Sequence, residues 1–124
     1  MVNLGGATEN DRKKIVITKD SKAFFHNNVD YCVGTGRMGL ALTEEYQEEL
    51  RLVQKEIGFK HIRGHGLFCD DMAIFQTYEE DGKVRVEYNY TYLDRVMDAY
   101  KKVGLRPFLE LGFMPKKLAS GSQT

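Results

Sequence analysis

No stretch of this 124-residue sequence approaches the run of about 18 apolar residues that a membrane-spanning helix requires. Charge of neither sign is in excess. The 18 Lys and Arg offset 18 Asp and Glu, so no long-range field gathers a polyanion, and nucleic acid is not an expected partner. The opening MVNLGGATENDRKK has no apolar centre and carries acids, which is not how a secretory signal reads. Histidine is scarce, and His26, His61 and His65 form no spacing such as H-E-x-x-H, so neither a metal nor another cofactor is expected. Cysteine occurs twice. Cys32 falls at the beginning of one expected strand and Cys69 beyond the end of the next parallel one, farther apart than a disulfide permits. Two reduced, partly buried thiols and a cytoplasmic location are the expectation. Length is also short: a closed eight-stranded α/β barrel takes about 250 residues, so any barrel reading is a reading of part of one.

Residues 1–30 read as a polar leader containing Gly5 and Gly6, a short β-prone run from Ile15 to Ile17, and the apolar anchors Phe24 and Phe25. Clear periodicity begins at Tyr31. A buried strand from Tyr31 to about Thr35 is followed by a turn punctuated by Gly36 and Gly39. Thr43 is placed to cap a helix with Glu44 and Glu45 in its first turn; Tyr46, Leu50, Val53 and Ile57 make its apolar stripe, and Gly58 ends it. A second strand runs from about Lys60 to His65. Alternating apolar residues on both sides of Asp81-Gly82 predict a β-hairpin excursion. Thr91 and Asp94 resemble a capping box for a second helix, whose stripe is Leu93, Val96, Met97, Tyr100 and Val103. LRPFLELGF then supplies a third strand, with Pro107 near its beginning. This succession of βα units predicts an α/β fold with three parallel strands, open to either a doubly wound or a barrel arrangement.

Ligands in parallel α/β sheets sit beyond the C-terminal ends of the strands, which selects Gly34–Arg37, His65–Asp71 and Glu110–Pro115. Between Gly64 and Gly66, His65 either hydrogen-bonds a ligand hydroxyl or ties two loops together. Arg63 and Glu110 have the strand parity to meet as an ion pair supporting a site from below. Asp70 and Asp71 invite a glycosidase or metal reading, but adjacent residues on an extended loop point apart, so a cap or a solvated acidic loop is expected. The glycines at 34, 36 and 39 match G-x-G-x-x-G as letters, yet the second strand ends in Gly-His-Gly and lacks the required acid. Tryptophan is absent, so a sugar ring would stack on phenylalanine or tyrosine, and Phe113 is best placed. Most other aromatics are expected to pack between the hairpin and the sheet.

The blocks CVGTGRMGLAL, KHIRGHGLFCDD, YNYTYLDRVMDAY and RPFLELGFMPKKLASGSQT, in this order, resemble the N-terminal part of β-xylosidases of glycoside hydrolase family 39, which also contains α-L-iduronidases. The resemblance covers about residues 31–124. It implies the N-terminal three-eighths of a (β/α)8 TIM barrel, with strands 1 to 3, helices 1 and 2, and a β-hairpin insertion after strand 2. The stretch from Ile15 to Phe25 then corresponds to a strand of an accessory β-sandwich. The implied activity is retaining exo-hydrolysis of terminal β-D-xylosyl residues from xylo-oligosaccharides. A glutamate in an Asn-Glu-Pro segment after strand four is the acid/base, and one near the end of strand seven is the nucleophile. Neither segment occurs here, so no catalytic residue is assigned and the chain alone is expected to be inactive. His65, by this resemblance, contacts the sugar, and Gly36 and Phe113 form pocket wall. The alternative expectation is a non-catalytic α/β module that self-associates through its open sheet edges.

Overall fold

The structure, a computed structural model, describes residues 15, 16, 19 and 26–122. Most of the leader, including Ile17, Phe24 and Phe25, lies outside them. Ile15 and Val16 are exposed and belong to no strand.

Strand β1 (Cys32–Arg37) leads through a 3-10 stretch (Met38–Leu42) into helix α1 (Glu44–Glu56). Strand β2 (His61–His65), a 3-10 turn (Asp70–Met72) and the hairpin strands β3 (Phe75–Glu80) and β4 (Lys83–Tyr88) follow. Helix α2 (Thr91–Lys102), strand β5 (Arg106–Leu109) and a last 3-10 turn (Lys116–Leu118) complete the order. Each helix returns the chain to the same end of the sheet, so β1, β2 and β5 are parallel, with β2 in the centre. The hairpin forms a separate antiparallel pair whose two-residue loop has Asp81 and Gly82 both at positive φ, the turn that Asp-Gly favours.

The helices cover one face of the sheet. Val96, Ala99 and Tyr100 of α2 pack with Met38 and Ala41 of the 3-10 stretch, Leu50 of α1, Ile62 of β2 and Leu105 before β5. The period-2 alternation of β2 turns Ile62 and Gly64 toward this core and Arg63 away from it. Gly64 has no room for a side chain: a Cβ would stand 2.6 Å from both Met38 Cγ and Thr35 Cγ2. Thr35 also shares a hydrogen bond with the Tyr46 hydroxyl, fastening β1 to α1. At the opposite end of the strands, Gln54 bonds both backbone groups of Phe59 and the carbonyl of Val103, joining the two helix-to-strand turns.

Several local expectations are revised. The strand expected to stop near Thr35 continues to Arg37 because the glycines in VGTGR adopt extended backbone. Thr43 sits at the N-cap but donates its hydroxyl to the Leu40 carbonyl behind it instead of accepting from α1. Thr91 is the first helical residue, not the cap, and its amide is taken by the Asn89 side chain. The aromatics expected between hairpin and sheet are largely uncovered: Tyr78, Tyr88, Tyr90 and Phe108 are all at least half exposed. Both cysteines are free thiols. Among the described residues, no helix is long and apolar enough to cross a membrane.

Candidate functional site at the strand tips

A cleft of about 460 Å³ opens at the C-terminal tips of the parallel strands. Arg37 from β1 and His65 from β2 line it, together with Cys69, Asp70 and Asp71 from the following loop. Its far side is Phe113, Met114 and Lys116, from the segment after β5. His65 is held centrally by the sheet itself. Arg37 pairs with it on one side, and on the other the Glu110 amide donates to the Gly64 carbonyl at 2.9 Å. Gly66 follows at φ +81, which lets the chain turn sharply past the imidazole.

The His65 ring lies 5.2 Å from that of Phe113, with their planes at 50°. An imidazole beside a phenyl face offers a hydroxyl its hydrogen-bonding partner and a ring's C–H groups an apolar surface. Among the described residues, His65 makes no side-chain hydrogen bond tying two loops together. Phe113 is about half exposed and holds a left-handed backbone, φ +61.

Gly36 does not line this cleft. The β1–β2 register pairs Gly34 with Arg63 but Arg37 with His65, so one extra residue is inserted in β1. That bulge moves Gly36 back by one position and brings the Arg37 guanidinium to the tip. Regular register would have set Gly36 opposite His65, and no pattern in VGTGRMG announces the irregularity.

The acidic pair is solvent-exposed, as expected, but each carboxylate also has a partner. Asp71 Oδ2 accepts from Arg37 Nη2 at 2.8 Å, and Asp70 Oδ1 accepts from the Lys116 amide at 3.1 Å. With both carboxylates engaged, and Arg37 and Lys116 beside them, the rim carries no excess charge of either sign. Neither is arranged to face the other across a bond, as a retaining pair would be at about 5 Å.

Arg63 and Glu110 do meet, at 3.1 Å, on the sheet face turned away from the helices. Arg63 is 58 % exposed, so the pair contributes no more than about 1 kcal/mol here. Among the described residues, the one strongly displaced ionisable group lies away from the cleft: burial, with Tyr46 nearby, pushes the Tyr100 phenol well above its ordinary range.

Residues 13–124 match the family model described as glycosyl hydrolases family 39. The chain is 51% identical over 112 residues to a β-xylosidase of Geobacillus stearothermophilus, an alignment covering 90% of this chain and 22% of that protein. A β-xylosidase of Caldicellulosiruptor saccharolyticus is 37% identical over 94 residues, covering 75% and 18%. Among solved structures, a GH39 β-xylosidase from Caulobacter crescentus superposes with a TM-score of 0.66 at 33% identity, over 74% of this chain and 20% of that one. The GH39 enzyme from Xanthomonas axonopodis pv. citri gives 0.63 at 35% identity, over 74% and 17%. The chain thus spans about one fifth of the length of the curated relatives it matches.

Proposed function

Because this chain belongs to glycosyl hydrolases family 39, we propose that it forms the first three strands of a (β/α)8 barrel and one wall of the pocket that holds a terminal β-D-xylosyl residue. The observation that carries this reading is the tilted contact of His65 with Phe113 in a cleft at the strand tips, the end where such barrels bind their substrates. His65 offers a hydrogen bond to a sugar hydroxyl, and Phe113 packs against the ring. Arg63 and Glu110 support the wall from the face that becomes the barrel interior.

The wall binds but does not react. Retaining hydrolysis needs a proton donor and a nucleophile on opposite sides of one glycosidic bond, and the resemblance offers neither glutamate within these 124 residues. Xylo-oligosaccharide is therefore the partner of a completed barrel, and the chain alone releases no nitrophenol from nitrophenyl β-xyloside.

The test is a hybrid in which the aligned 112 residues replace their counterpart in the Geobacillus β-xylosidase. The hybrid is expected to cleave the xyloside. His65→Ala in it should lower kcat/KM by about 100-fold, from the loss of a hydrogen bond strengthened in the transition state. A folded hybrid without turnover, or one indifferent to His65→Ala, would overturn the reading.

One observation favours a second reading, a non-catalytic module that self-associates. Phe108 on the edge strand β5 and Leu111 just beyond its end are 57% and 73% exposed, and every residue of β4 is exposed. Saturable xylose binding by a monomeric chain would weigh against it.

A further inference from the structure

Phe113 reaches His65 from a backbone conformation that L residues with side chains avoid. Its φ of +61 is strained for a non-glycine residue and persists only where the surroundings enforce it. Two hydrogen bonds enclose the segment. Before it, the Glu110 amide donates to the Gly64 carbonyl at 2.9 Å; after it, the Lys116 amide donates to Asp70 Oδ1 at 3.1 Å. The next residue, Asp71, turns to the other wall and accepts from Arg37 at 2.8 Å, and Arg37 stands opposite His65 in the sheet. Both carboxylates rise from one short turn, Asp70–Met72, whose Met72 is buried in the core at 1% exposure. Two adjacent acids on an anchored base therefore grip both flanks of the cleft.

Resting on the reading of His65 and Phe113 as a sugar-holding wall, we propose that Asp70 and Asp71 are positioning residues that set the width of that pocket. Asp70, through the Lys116 amide, keeps Phe113 against the imidazole. Asp71, through Arg37, keeps the β1 tip from closing over or swinging off it. Asp70 acts as a hydrogen-bond acceptor, so its charge is dispensable; Asp71 acts through its charge, in an ion pair open to solvent on both sides and therefore the weaker of the two ties.

The contact can be read in the full chain without any activity. The Phe113 ring displaces the proton resonances of the His65 imidazole, and amide exchange reports the Lys116 bond. Asp70→Ala is expected to abolish most of that displacement and to speed Lys116 exchange about tenfold or more, the scale of one lost hydrogen bond. Asp70→Asn, which keeps an acceptor oxygen, should restore both. Lys116→Pro removes the donor instead. Proline suits the first position of the Lys116–Leu118 turn, and Pro115, at ψ 134, already has the extended conformation that a residue before proline adopts. Its effect on His65 should match that of Asp70→Ala, and the double variant should be no worse than either. If Asp70→Ala fails to fold, Lys116→Pro carries the same test. In the hybrid enzyme, Asp70→Ala should raise KM about tenfold with kcat changed less than about threefold, the pattern of lost ground-state positioning. Unaltered His65 resonances in both Asp70→Ala and Lys116→Pro would overturn the clasp even if the hybrid is active. An inactive hybrid with the resonances shifted as expected would instead overturn the sugar-binding reading alone.

Discussion

Tyr100 shows how a single side chain can be both the centre of the core and its weak point. It is fully buried between α2 and the 3-10 stretch, yet its hydroxyl has no hydrogen-bond partner among the described residues. Burying an unpartnered hydroxyl costs roughly 1–3 kcal/mol, so Tyr100→Phe should stabilise the chain by about 1 kcal/mol, measured by urea unfolding. The same burial raises the phenol's pKa. A pKa raised on folding stabilises fully below the unfolded value of about 10 and is lost as pH climbs from there toward the folded value. Alkaline titration of the parent chain should therefore show stability falling above pH ~10 more steeply than in Tyr100→Phe. Equal slopes would show that the phenol is not held neutral by the fold. Residue identity made His65 and Phe113 legible as site candidates because each stands just past a strand. It put Arg37 inside the candidate window without setting it above Gly36, since that choice comes from a bulge, and it undervalued Asp70 and Asp71, whose partners are 46 and 34 residues away.

Elements were the most readable level, since each rests on neighbours close in sequence. The stripes of both helices, the parallel strands and the Asp81-Gly82 hairpin follow from period and turn chemistry. Element ends were less readable, because several polar residues near a terminus compete for the same free amides. At the start of α2, Thr91 has the right chemistry for a cap but Asn89 Oδ1 takes the Thr91 amide at 2.9 Å. Asn89→Ala should cost about 1 kcal/mol in a urea melt, and Thr91→Ala clearly less. The reverse ranking would restore the capping box. The end of α1 shows the same limit. Ile57 continues the apolar spacing but is 56% exposed, since the helix stops at Glu56 and no neighbour covers that turn.

At the level of the whole molecule, the helices cover one sheet face, and among the described residues none covers the other. Arg63 of β2 and Phe108 of β5 stand side by side on that face, each more than half exposed. An exposed aromatic surface at a sheet edge favours association, so sedimentation velocity is expected to show the chain forming larger species as concentration rises. Phe108→Lys, adding charge beside Arg63, should shift that equilibrium toward monomer. A chain that stays strictly monomeric at high concentration would argue that the bare face tolerates water. The sequence by itself determined the order and type of the elements, the helix faces and the strand ends where ligands collect. These depend on local periodicity and on the stereochemistry of a few turn residues. Only the tertiary structure decided that a bulge brings Arg37 rather than Gly36 to the cleft, and that two neighbouring aspartates reach opposite walls. Strand register and contacts between distant loops are fixed by packing across the sheet, and no short window of sequence encodes them.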